Sequence, residues 1–171
     1  AHTAHVDASS HVDRDAVVFD NARVAHAARI LDHARIAGSA QIDKATVSGT
    51  AVVAGEATVR RATVTNHAKV REQGAVWDGA VIAERARVDG RAHVVGRALV
   101  DGDARVRGDA WVRGGHVGGT ARIAGSASVA DGADIVGEVT ITAGRHPAPS
   151  GDAAPAPPAT APHARPSRRD F

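Results

Sequence analysis

An aliphatic residue returns every five or six positions through most of this chain, and that spacing constrains its fold more than any other feature. Val or Ile stands at 6, 12, 18, 24, 30, 36, 42, 47, 53, 59, 64, 70, 76, 82, 88, 94, 100, 106, 112, 117, 123, 129, 135 and 141, giving 24 anchors. Two residues before each anchor stands Ala in 20 of the 24 cases; Ser10, Gly74, Gly115 and Val139 are the exceptions. Two residues after it stands Gly in 11 cases, while Asp20, Asp32, Asn66, Asp78 and Asp131 take that place in others. Side chains two apart on an extended chain point the same way, so Ala and Val face one interior and the residues beside each anchor face outward. Gly, Asn and Asp suit a turn that needs positive φ. A short strand and a sharp turn every six residues give a polygonal coil, and such coils stack as solenoids.

The short steps indicate the number of sides. Ile42 to Val47, Val59 to Val64 and Val112 to Val117 span five residues, and they follow anchors 7, 10 and 19. With three sides, all three shortenings fall at one corner. The fold class expected is all-β: a single-stranded parallel β-helix of triangular cross-section, with about eight coils. At a strand spacing of ~4.8 Å the rod is about 38 Å long.

Composition fits a thin core. Aromatics make up 2% of the chain, and Ala, Val and Gly replace the large side chains that normally fill a globular interior. There is no Cys, which excludes disulfides and thiolate metal sites. No apolar run is long enough for a membrane-spanning helix, and no signal-peptide pattern opens the chain. The cytoplasm is therefore only the default compartment. The chain starts at Ala1 rather than Met, as a processed product or fragment would.

Two regions are expected: a β-helix over 1–144 and a disordered tail over 145–171. All seven Pro lie between 147 and 166, in Ala/Pro/Ser-rich sequence that ends Ser167-Arg168-Arg169-Asp170-Phe171. The tail holds four Arg and two Asp. The repeat region holds 17 basic and 17 acidic residues, so its own net charge is zero.

The Ala-x-Val-x-Gly-x unit, clearest over Ala92–Gly114, resembles the hexapeptide repeat of the left-handed parallel β-helix family. That family includes hexapeptide acyltransferases and gamma-class carbonic anhydrases. The resemblance covers about Ala4 to Ala143 and implies a left-handed coil; a right-handed, bactofilin-like helix is the alternative. The repeat is a folding motif and carries little about chemistry. Acyltransferases of this group use a loop extruded from a coil and a His that takes a proton, whereas the steps here are uniformly five or six. The carbonic anhydrases' paired-His motif is absent. His67, in Thr65-Asn66-His67, sits at a turn with nearby polar groups and is the least unsuitable catalytic candidate, and an exposed turn His is the simpler account of it. His5, His11, His93 and His116 fall on outward positions of differing faces, and His33 and His67 lie two coils apart. No catalytic residue, metal or cofactor is expected.

Two outward ladders are the candidate sites. One face presents Arg35, Val52, Lys69, Arg87, Arg105 and Arg122 just before its anchors, a strip suited to an anionic polymer. Arg71, Asp89 and Arg107 alternate beside it and offer partial compensation. An idle solvated face is the competing account. Another face carries Trp77, Val95 and Trp111, with Val81 and Leu99 on an adjacent face, a candidate protein contact. Thr46-Val47-Ser48 and Thr63-Val64-Thr65 stack as outward rungs, too few for an ice-binding array. The function expected is a non-catalytic scaffold, a rigid rod that self-associates laterally or end to end, or displays a binding surface. An acyltransferase-like subunit, with catalytic elements degenerate or outside this chain, is the alternative.

Overall fold

The structure, a computed structural model, describes residues 3–146 and contains no helix among them. Twenty-five strands of two or three residues run in order, beginning with β1 (His5–Val6), β2 (His11–Val12) and β3 (Val17–Val18). Every third strand joins the same sheet. Sheet A has nine strands and starts at β1, sheet B has eight and starts at β2, and sheet C has eight and starts at β3. All pairings between successive coils are parallel. This is the three-sided parallel β-helix of about eight coils expected from the anchor spacing.

Register follows the step lengths. Where all three steps are six residues long, anchors pair at an offset of 18, as Val88 pairs with Val106. Where a coil contains one short step, the offset falls to 17, as Val59 pairs with Val76. The three short steps leave the strands Gln41–Asp43, Thr58–Arg60 and Trp111–Arg113 of sheet A for strands of sheet B. They therefore share one corner. The last described strand, Arg145–His146, pairs with Ser128–Val129 and begins a ninth coil just past residue 144. Residues 147–171, most of the expected tail, lie outside the described residues.

The core is a set of Ala and Val/Ile ladders. From Ala22 to Val129 nearly every Ala–anchor pair is fully buried, and no polar or charged residue is buried among those described. Each aliphatic anchor contributes about 1.5–3 kcal/mol by leaving water. Flanking amides bond to the next coil, for example Arg87 N donating to Ala104 O at 2.9 Å and Asp89 N to Val106 O at 2.9 Å. The pre- and post-anchor side chains are thus held on rigid backbone, facing out.

The corners carry the cost of the fold. Asp20, Asp32, Asn66 and Asp78 turn with φ of 61°, 57°, 61° and 58°, as expected for their types. His26, Lys44, Arg61, Glu72 and Glu84 occupy the same corner position with φ from 47° to 58°. For side chains other than Asn, Asp or Gly this conformation costs roughly 1–2 kcal/mol. The carboxylates recover part of it by accepting an amide of the coil above. Gly38 N donates to Asp20 at 3.1 Å, Gly49 N to Asp32 at 2.8 Å, Gly90 N to Glu72 at 2.8 Å and Gly102 N to Glu84 at 3.0 Å. Asp131 departs from expectation: its neighbour Gly132 takes the positive φ, 74°, because a residue without Cβ adopts it at no steric cost. At one corner small size is also required. A Cβ on Gly90 would sit 2.8 Å from Gly108 N.

Val94 is fully buried within these ladders. Val94→Asp places an unpaired carboxylate there, at a cost of several kcal/mol. The expected outcome is loss of the cooperative thermal transition in circular dichroism. A melting temperature within a few degrees of the parent would mean that the anchors do not face a dry core.

Candidate anion-binding face and aromatic stack

Sheet C brings the expected cations into one column. Arg35 pairs with Val52, Val52 with Lys69, Lys69 with Arg87, Arg87 with Arg105, and Arg105 with Arg122. Strand spacing puts neighbouring cations ~4.8 Å apart at the backbone, where like charges repel. None of these five makes an ion pair within 4 Å among the described residues. The pairs that form lie elsewhere: Arg61–Asp78 at 2.5 Å, Arg85–Asp103 at 2.7 Å, Arg91–Asp109 at 2.8 Å and Arg60–Asp43 at 3.6 Å. Other carboxylates cap turns, as described above. The neutral charge of the repeat region thus conceals a local imbalance: the sheet C strands carry five of its 17 cations and no acid.

Compensation by Asp89 is weaker than the alternation of Arg71, Asp89 and Arg107 suggests. Asp89 forms no ion pair within 4 Å among the described residues. Burial, joined by Glu72, pushes its carboxyl up against the pull of Arg71, Arg87 and Arg105. Along the column runs a groove of about 590 Å³, lined by His33, Arg35, Thr50, Val52, His67, Lys69, Arg87 and the Arg85–Asp103 pair. Val52 interrupts the cations and leaves an apolar floor. His33 and His67 both line the groove, two coils apart.

The Trp residues are not free-standing. Trp77 ends the strand Ala75–Trp77, Trp111 begins Trp111–Arg113, and His93 of the intervening strand sits between their rings. His93 and Trp111 are stacked at 4.3 Å with planes 24° apart, and Trp77 meets His93 edge-on at 5.5 Å. Trp77 is half-buried, and Trp111 remains 38% exposed. Burial lowers the His93 pKa, with Asp109 opposing it. Val95 ends the same strand as His93 and pairs with Arg113. Val81 and Leu99 stack in one column of sheet B. The aromatic cluster therefore satisfies itself in part, and less of it is available to a partner than two exposed Trp would offer.

Sheet B holds a feature that residue types alone did not suggest. His116 Nε2 lies 3.0 Å from Asp101 Oδ1, and Nδ1 lies 3.1 Å from Asp134 Oδ1. One imidazole spans three coils. Arithmetic on the repeat could have found it, since Asp134 follows His116 by one coil. Gly118 makes the room: a Cβ there would come within 2.6 Å of both Asp101 Oδ1 and His116 Nε2. On the same sheet Thr46 pairs with Thr63, and Ser48 and Thr65 hydroxyls meet at 2.9 Å. His11 pairs with Asp13 at 2.9 Å and His26 with Asp43 at 3.0 Å. Among the described residues no group of three or more His, Asp or Glu is arranged to hold a metal ion, and no helix is long and apolar enough to cross a membrane. Comparison with protein-family models and with curated proteins found no match for this chain.

Only the imidazolium can donate to both carboxylates at once. The bond to Asp101 is the largest cause that raises the His116 pKa, and Asp134 adds to it. Stability from a raised His pKa is fully present below the unfolded value of about 6.5 and is lost as pH rises through the folded value. The melting-temperature gap between the parent and His116→Gln should therefore narrow from about pH 5.5 to 8.5. A gap that is constant or widens over that range would show that the two contacts do not depend on charge.

Proposed function

We propose that this chain is a non-catalytic β-helical scaffold whose sheet C face binds a linear polyanion. The observation that carries the reading is the column Arg35, Lys69, Arg87, Arg105 and Arg122, which has no ion-pair partner within 4 Å among the described residues while carboxylates of the rod are engaged elsewhere. A partner with regularly spaced negative charge, lying along the rod axis, would relieve the repulsion between coils. It would also release its own counterions. The groove beside the column is lined by four cations, His33, His67 and Val52, with Asp103, paired to Arg85, as its one acid. The acyltransferase-like alternative finds no comparable support, because successive anchors are five or six residues apart and leave no inserted loop to build a cleft.

The test is retention of the full chain on a sulfated-polysaccharide column in a salt gradient. Arg87→Gln with Arg105→Gln should elute at clearly lower salt than the parent and show a flatter salt dependence. It should melt at the same temperature or slightly higher, since repulsion is removed. Arg23→Gln with Arg97→Gln lowers the net charge equally from positions outside sheet C. If that pair shifts elution as much, attraction is by net charge and the face has no special role.

Self-association forms the second part of the scaffold reading. Among the described residues, five of the six exposed large hydrophobic residues lie on the first and eighth coils: Val6, Val17 and Phe19 on the first, Val136 and Val139 on the eighth. Exposed parallel edges with apolar side chains invite another strand. Val17→Glu with Phe19→Glu should lower the mass measured by light scattering, and a parent that is already monomeric would end this part of the proposal.

A further inference from the structure

The aromatic stack on sheet A stops one place short of filling its column. Along the pre-anchor positions the register runs Ala75, His93, Trp111, Ser128, Arg145. His93 and Trp111 stack at 4.3 Å, close to the rise of one coil, so their rings lie nearly parallel, one per coil. Ser128 then occupies the next level with a side chain far smaller than a ring, and Arg145 occupies the level after it. Two coil steps separate Trp111 from Arg145, ~9.6 Å at the backbone. One planar ring in contact with both neighbours needs about 7–8 Å, at 3.5–4.0 Å per contact. A cleft of about 260 Å³ opens beside this level, lined by Arg113, Ser128, Val129, Ala130 and Arg145; Trp111 does not line it but is the register neighbour of Ser128. Neither Arg113 nor Arg145 has an ion-pair partner within 4 Å among the described residues, and no second ring stacks on Trp111 there.

We propose that this slot binds a planar aromatic anion, its ring stacked on Trp111 at the level Ser128 leaves open and its charge held by Arg113 and Arg145. Each part of the ligand has a matching group. The indole offers a π face backed by His93, which holds it flat. A guanidinium can stack on a ring or grip a phosphate or carboxylate through two N–H groups. Ser128 gives a small floor. The site lies on sheet A and is independent of the sheet C face. Nucleotides and aromatic carboxylates share this chemistry.

The chain has only two Trp, so fluorescence reports the site directly. In full-length Trp77→Phe, Trp111 is the sole emitter. Adenosine 5′-monophosphate should quench it saturably, whereas inorganic phosphate at equal concentration should not. Ser128→Phe fills the slot and should abolish the quenching. Arg113→Gln should weaken binding about tenfold. Trp111→Leu, followed by calorimetry, gives a second variant should Ser128→Phe fold poorly, and it should show no heat of binding. Calorimetry with 1-naphthoate distinguishes the sources: binding as tight as that of the nucleotide points to aromatic carboxylates, weaker binding to nucleotides. The proposal is overturned if neither probe saturates by millimolar concentration, if inorganic phosphate quenches equally, or if a folded Ser128→Phe or Trp111→Leu binds as well as the parent.

Discussion

Parallel pairing between coils sets a 17- or 18-residue offset between neighbours, and every other property of this rod depends on it. The offset stacks Val on Val and Ala on Ala, so each coil buries its apolar edge on the next. It also stacks whatever the sequence places beside the anchors. A cation at one pre-anchor position of sheet C lands on a cation in the next coil, as Arg87 lands on Arg105. The core and the candidate site arise from a single geometric rule, the first through inward positions and the second through outward ones.

The same rule explains where negative charge goes. Corner positions with positive φ leave amides that need acceptors, and Asp20, Asp32, Glu72 and Glu84 supply them across coils. Acids are therefore drawn toward corners, and several corner Arg pair with them, as Arg61 does with Asp78. The strands of sheet C keep their cations with little local compensation. Asp89, the single acid in the row beside them, has its carboxyl pushed up by burial and by Glu72. A rod with no net charge in its repeats can thus present a cationic face.

The anchors, the three sides, the shared corner of the short steps and the cation column were legible from period and residue type, because strand alternation and coil stacking are one-dimensional rules. Other features were not. Trp77 and Trp111 read as two exposed rings, yet His93 stands between them, because the post-anchor position of one strand leans toward the pre-anchor position of the next. His116 read as an isolated outward His, yet it joins Asp101 and Asp134 through space that Gly118 leaves free. The turn at Asp131 was misplaced by one residue because two adjacent residues, Asp131 and Gly132, could each supply it.

Taken alone, then, the sequence determined a three-sided parallel β-helix, its dry Ala/Val interior and the face that collects Arg35, Lys69, Arg87, Arg105 and Arg122. Those follow from spacing, since a period of six with one short corner admits few other ways to bury every anchor. Only the tertiary structure decided which outward side chains satisfy one another and which stay open. Rotamers, corner conformations and the small gaps left by Gly118 and Ser128 set those contacts, and such distances depend on where three coils meet in space rather than on order along the chain.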